Sequence, residues 1–288
     1  DHRDLHYIVC RQRQMCIRDS IIGYAEDKFK RVKPFVAYSS LDTERFVFNN
    51  NSVNNLAVYL TRLPKAKEGK IGIVAKGCDI KSIIALIQEN QIKRDDVIII
   101  GVNCNSVVNQ IDEQFSKENT AIKCKYCQVR TPAHYDYLVG EIKEVELPED
   151  KNFAIMQKLD SMSAEEKWNF WEAEFEKCVK CYACRQVCPL CYCEQCIVDK
   201  SMPRWIDSSA TTKGNFAWNM IRAFHLSGRC IGCNECERAC PAEIPLSLLN
   251  RKMGMVAINE FNYRHGTDIN QPTLIGNYNV NDKEDFIM

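Results

Sequence analysis

No run of eighteen apolar residues occurs in this 288-residue sequence, which excludes a membrane-spanning helix. Neither charge is in excess, with 38 Lys and Arg against 38 Asp and Glu, and no basic stripe interleaved with aromatics supplies the electrostatic footprint of a nucleic-acid-binding surface. Histidine is scarce, at five residues. His134, His225 and His265 stand alone, without the paired spacing of a metal site. No GxGxxG follows an expected strand, so a Rossmann dinucleotide site has no support. No Ser-His-Asp order or paired-carboxylate motif points to hydrolysis. The first residues, Asp1, Arg3 and Asp4 among them, carry charge where an export signal needs an apolar stretch.

What the chain does have is cysteine, seventeen residues of it, in a chain far longer than the small disulfide scaffolds. Many sit two or three residues apart, a spacing that suits ligation of one inorganic centre better than closure of long disulfide loops. With no export signal, that reading predicts a reducing cytoplasm. Length predicts two domains, and 45% hydrophobic with 26% charged residues describes globular rather than disordered domains. Residues 1–20, including RQRQMCIRDS, fit no periodicity and read as a cloning or assembly scar, which removes Cys10 and Cys16 from the chemistry.

From residue 35, FVAYSS and RFVFNN read as short strands, and residues 52–63 carry Val53, Leu56, Leu60 and Leu63 at a helical interval. The next unit is clearer. IGIVA (71–75) and VIIIGV (97–102) are buried-strand runs, and Ile80, Ile83, Ile84 and Ile87 between them recur at helical spacing. This predicts a strand-helix-strand crossover with two adjacent parallel strands. Cys78 and Cys104 then fall just past those strands, at the carboxyl edge where open α/β sheets build their sites. The CKYC pair, Cys124 and Cys127, offers two more ligands for a metal centre. A single Cys is more often a buried apolar filler than a ligand; four in this arrangement favour a metal centre.

KIGIVAKGCD, IIIGVNC, and CKYC followed by YDYLVGE resemble the beta subunit family of deazaflavin-reducing hydrogenases and formate dehydrogenases, over residues 35–140. The resemblance implies a 4Fe-4S cluster on Cys78, Cys104, Cys124 and Cys127, and FAD as a further cofactor. In the deazaflavin-reducing members, sequence after the CxxC helps hold the flavin, whereas here Glu141 leads into an acidic linker.

Residues 141–176 hold eleven acidic and four basic residues, a shift that predicts a boundary near residue 148. Domains are expected at 21–148, an α/β domain with a parallel sheet, and at 149–260, with an extended tail over 261–288 as an arm for a partner. Ser163 with Glu166 forms a capping box, and Trp168, Trp171 and Phe175 make an aromatic stripe that packs on its own domain. Cys178, Cys181, Cys184 and Cys188-Pro189 obey C-x2-C-x2-C-x3-C-P, and Cys230, Cys233, Cys236 and Cys240-Pro241 repeat it. Three close cysteines with a remote fourth suit a cubane, whereas structural zinc usually takes two CxxC pairs. Two-cluster proteins exchange the fourth ligand. That assigns Cys178, Cys181, Cys184 and Cys240 to one 4Fe-4S cluster, and Cys230, Cys233, Cys236 and Cys188 to a second.

The 41 residues between Cys188 and Cys230 include Phe216, Met220, Ile221 and Phe224 at helical spacing, stopped by Gly228. GRCIGCNECERACPAEIPLSLL resembles the helical ferredoxin modules of heterodisulfide reductase and succinate dehydrogenase iron-sulfur subunits, which implies a mostly helical dicluster domain. Cys191, Cys193 and Cys196 remain. They offer a fourth cluster with an outside ligand, alternative ligands to the first two, or ordinary packing thiols. The expectation is an electron-transfer subunit of an anaerobic oxidoreductase, with no catalytic residue of its own. Its implied partners are a formate dehydrogenase or hydrogenase catalytic subunit, or heterodisulfide-reductase-like subunits. The alternative is a flavin enzyme that reduces a deazaflavin coenzyme or ferredoxin.

Overall fold

The computed structural model describes residues 20–63, 69–111, 114–125, 127, 129–141 and 151–281. Cys10 and Cys16, with residues 1–19 of the stretch read as a scar, lie outside them; its last residue, Ser20, instead opens the first strand, buried in the sheet. The chain divides into two compact units, one running to Glu149 and including Gly266–Ile269, the other spanning Asp150–His265 and continuing from Asn270.

The first unit is built on a five-stranded sheet: β1 (Ser20–Glu26), β2 (Val32–Ala37), β3 (Ile71–Ala75), β4 (Val97–Val102) and β5 (Tyr137–Val139), in the order β2-β1-β3-β4-β5. β3, β4 and β5 run parallel to their neighbours, but β1 and β2 are antiparallel. The sheet is therefore mixed, where the sequence predicts a parallel one. The reason is the connection: five residues between β1 and β2 permit only an antiparallel return. Asp27 fixes that turn, its carboxylate accepting from the backbone N–H of Phe29 at 2.8 Å and of Arg31 at 3.0 Å. β2 is an edge strand, so Pro34 removes no needed ladder bond.

RFVFNN forms no strand. β3 pairs only with Ser20 to Ile22 of β1, and the gap beyond is filled by a single bridge, Ala25 to Phe46, with Val47 N–H donating to the Tyr24 carbonyl at 2.9 Å. Residues 52–63 form a short 3-10 turn, Leu56–Tyr59, rather than a helix. Val53, Leu56 and Leu60 are buried, yet asparagines 49, 50, 51, 54 and 55 offer side-chain acceptors that compete with helical bonding. Asn55 caps the turn by accepting from Ala57 N–H at 3.1 Å. The crossover itself folds as expected: adjacent parallel β3 and β4, buried along nearly their whole length, are joined through a helix at Gly77–Gln88. Among the described residues of this unit the helices are α1 (Ser40–Thr43), α2 (Gly77–Gln88) and α3 (Ile122–Lys125).

The second unit contains α4 (Lys151–Ser161), α5 (Ala164–Glu176), α6 (Ala183–Gln186), α7 (Thr212–His225), α8 (Glu235–Arg238) and α9 (Leu246–Phe261), and no strand among its described residues. Ser163 starts α5 with a reciprocal box: its hydroxyl accepts from Glu166 N–H at 3.2 Å, and the Glu166 carboxylate accepts from Ser163 N–H at 2.7 Å. The aromatic stripe packs α5 onto α7. Phe175 is fully buried, edge-on to Phe216 at 5.6 Å, and Trp168 lies 4.5 Å from the same ring. Gly228 follows α7 in a left-handed conformation, φ 66°, and Leu274 packs against it at 3.0 Å from where a Cβ would stand. The core of this unit joins Phe175, Val198, Ile206, Trp218, Ile244 and Leu246 to two thiols, Cys184 and Cys236.

Candidate functional site

The two cysteine motifs fold alike. After the first cysteine of each, the chain turns left-handed twice, at Lys180 and Tyr182 (φ 51° and 56°) in one and at Gly232 and Asn234 (φ 72° and 55°) in the other. Each second turn starts a one-turn helix, α6 or α8, that carries the third cysteine into the core, and α6 packs on α8. Left-handed backbone is costly for a side chain as large as Tyr or Lys, so matching conformations at matching motif positions are a built feature. Tyr182 is held by its ring, edge-on to Trp218 at 5.1 Å.

Cys188, from the end of the first motif, lines one cavity with Cys230, Cys233 and Cys236 from the second. These are the four residues of the second ligand set. Among the described residues no three His, Cys, Asp or Glu side chains meet at a point suited to a single metal ion. Four thiols lining one cavity match the ligand count of a cubane cluster. The rest of the lining fits the same group. Arg222 Nε, Asn234 Nδ2 and the Ser247 hydroxyl are buried polar atoms without a protein partner. Such orphans are rare unless something else satisfies them, and the sulfur atoms of a cluster accept hydrogen bonds. Arg251 donates to Asn234 Oδ1 at 2.8 Å, which fixes the amide with its Nδ2 left over. Gly232 N–H donates to Cys230 Sγ at 3.4 Å, and Asn250 Nδ2 to Cys236 Sγ at 3.9 Å.

Cys184 of the first set is held neutral chiefly by burial, which outweighs Arg222 beside it, and Cys178 and Cys240 are near enough to raise its pKa further. Cys181 is exposed, and no described contact ties it to the other three. The buried thiols resist ionisation: burial pushes Cys233 well up and Cys236 up to about 12, despite Arg222 beside the latter. Such thiols are poor nucleophiles. Cys188 is the exception, pushed down by a hydrogen bond from Cys191 that outweighs its burial.

In the first unit, Cys78 sits in the first turn of α2 and Cys104 two residues past β4. Burial, then the neighbouring Cys124, raises Cys104 to about 11, and Cys127 adds to the effect. Burial also raises Cys78, with Asp79 next and Cys104 a smaller contributor. The four predicted thiols are thus electrostatic neighbours. Two backbone contacts hold the segment after CKYC there. Cys104 N–H donates to the Arg130 carbonyl at 3.1 Å. The Val129 carbonyl lies against Gly77, where a Cβ would come within 1.7 Å of its oxygen.

Sequence reasoning missed three buried cations, two beside the first-unit thiols and one in the second unit. Lys76 is 1% exposed, ion-paired to the fully buried Asp79 at 3.0 Å, and bonded to the Asn54 carbonyl at 2.8 Å and to Tyr24. Burial alone would lower its pKa, but Asp79, Cys78 and Cys104 together raise it. Lys123, also buried, donates to the Val53 carbonyl at 2.5 Å. Arg222 is the third. The pattern KGCD did put Lys76 beside a ligand, which is the one signal available. Of the remaining thiols, Cys191 contacts Cys188, Cys196 contacts Arg185, which also pairs with Asp199 at 2.9 Å, and Cys193 is exposed.

No family model matches the chain. It is 25% identical to the F420-dependent formate dehydrogenase subunit beta of Methanocaldococcus jannaschii, in an alignment covering 71% of this chain and 76% of that protein. It is 23% identical to the F420-dependent formate dehydrogenase 1 subunit beta of Methanococcus maripaludis, covering 73% and 76%. The chain is related to these beta subunits, in keeping with the family its first-unit motifs resemble.

Proposed function

We propose that this relative of formate dehydrogenase beta subunits is an iron-sulfur electron-transfer subunit. Its proposed ligand sets are Cys178, Cys181, Cys184 and Cys240; Cys188, Cys230, Cys233 and Cys236; and Cys78, Cys104, Cys124 and Cys127. The observation that carries the reading is the cavity where Cys188 joins three thiols from more than forty residues away, together with three buried donors that have no protein partner. The 4Fe-4S clusters, when bound, supply reversible one-electron chemistry.

The chain's own residues do the rest. Thiolates carry roughly −4 into each site, and buried cations offset part of it: Lys76 and Lys123 beside the first-unit thiols, Arg222 beside the others. Gly232 N–H and Asn250 donate to coordinating sulfurs, and such bonds favour the more negative state and so raise reduction potential. The apolar packing of Trp218, Ile244 and Leu246 around Cys184 and Cys236 keeps water away. Cytoplasmic location fits this chemistry, since the thiols need a reducing compartment.

The proposed partner is a formate dehydrogenase catalytic subunit, because both relatives bear that name. Hydrogenase and heterodisulfide-reductase-like complexes are the other partners compatible with the motifs. Both relatives are named for dependence on F420, which favours a second reading in which a bound FAD lets the chain itself reduce the deazaflavin. One preparation separates these readings. Anaerobic capture of the tagged full chain should bring down a large subunit with formate-oxidising activity, and dithionite should give reduced-cluster paramagnetic resonance. A colourless, iron-free protein overturns the relay. A flavin absorbance band that survives gel filtration favours the second reading.

A further inference from the structure

Arg222 stands on α7 one helical turn after Trp218, yet its side chain turns inward and is only 4% exposed. One of its nitrogens, Nη2, donates to the Cys184 carbonyl at 3.2 Å. Another, Nε, is buried with no partner. The residue also lines the cavity of Cys188, Cys230, Cys233 and Cys236. Among the described residues no carboxylate pairs with it. The titratable groups that face it are thiols: Cys184 and Cys188 of the first motif, Cys236 of the second, and Cys191 just beyond the first. A guanidinium cannot shed its proton, so once buried it needs a negative partner. A thiol that keeps its proton is not one. Metal-bound thiolates are.

We propose that Arg222 is the shared counter-charge of both cluster sites in the second unit, a positioning residue that holds the potentials of the two clusters up together. This rests on the iron-sulfur reading above. A cluster with four thiolates is already anionic, and gaining an electron from a reductant makes it one unit more negative. A fixed cation beside it in low dielectric stabilises the reduced state more than the oxidised one. Because Arg222 touches the ligand loop of one set and the cavity wall of the other, one side chain acts on both.

The test is a redox titration of the anaerobic full chain with dithionite and mediators, read by paramagnetic resonance, for wild type, Arg222→Lys, Arg222→Gln and Arg222→Met. Removing the charge should make reduction of both second-unit clusters at least tenfold less favourable, ~59 mV for a one-electron couple, with iron content kept. Arg222→Lys should stay within about threefold of wild type, on the same conversion. Unchanged potentials in the two neutral variants, or a shift of one cluster alone, overturns the proposal. If both neutral variants lose iron while Arg222→Lys retains it, the charge requirement stands. Loss in all three means that guanidinium shape, not charge, is what the site needs, and the proposal fails. Absence of any cluster signal in wild type would instead sink the iron-sulfur reading itself.

Discussion

Gly77 earns its place through an atom fifty-two positions downstream. The Val129 carbonyl occupies the space a Cβ would need, at 1.7 Å, and backbone cannot give way as a flexible side chain can. Gly77→Ala should therefore cost at least ~1–3 kcal/mol, the range for overpacking, and should pull the segment after CKYC away from Cys78. Thermal melting together with iron content would register both effects; an unchanged melt with full iron would contradict the contact. At the same scale, Cys184→Ser should lower iron by about four per chain and destabilise the second unit, because Cys184 is at once proposed ligand and core residue. The sequence spells out the glycine and the cysteine but not their reasons. The need for Gly77 is a long-range contact, and Arg222 reads in the sequence as an ordinary charged helix residue between Ile221 and Phe224.

At the scale of elements, periodicity was informative where the chain buries one type of surface and misleading where it does not. Residues 71–102 alternate buried strand, amphipathic helix and buried strand, and they fold that way. Residues 52–63 share the apolar spacing of a helix, but their neighbouring asparagines claim the backbone and only one 3-10 turn forms. The antiparallel β1 and β2 pair was missed because β1 lies at the start of the described chain, next to a stretch that fits no pattern. The capping box and the aromatic stripe of α5 were both legible, since each is a local signal of three to seven residues. Phe175, fully buried between Trp171 and Phe216, is the centre of that packing. Phe175→Ala should cost ~3–5 kcal/mol, seen as a lower denaturant midpoint for the second unit, with the first unit's transition unmoved. A midpoint within error of wild type would mean that α5 is not part of this core.

For the whole molecule, the metal and the fold of the second unit are one question. Its core is made of a few large apolar side chains and two thiols, and it holds a buried arginine that no carboxylate pairs with among the described residues. Anaerobic removal of iron by a chelator should therefore cost the second unit much of its helical circular dichroism, because ligand binding there supplies folding free energy. The first unit, with its five-stranded sheet and aliphatic core, should keep its β signal. What could be seen at this scale from sequence alone was the repeat of the motif; the exchange of Cys188 into the second set followed only by analogy of spacing, since the sequence says nothing of which thiols share a cavity. The most direct test is metal and acid-labile sulfide analysis of the anaerobically purified full chain beside its Cys188→Ala variant. The account predicts about twelve irons and as many sulfides per wild-type chain, and about four fewer of each in the variant. Stoichiometric zinc without sulfide, or a variant that keeps all its iron, would contradict it.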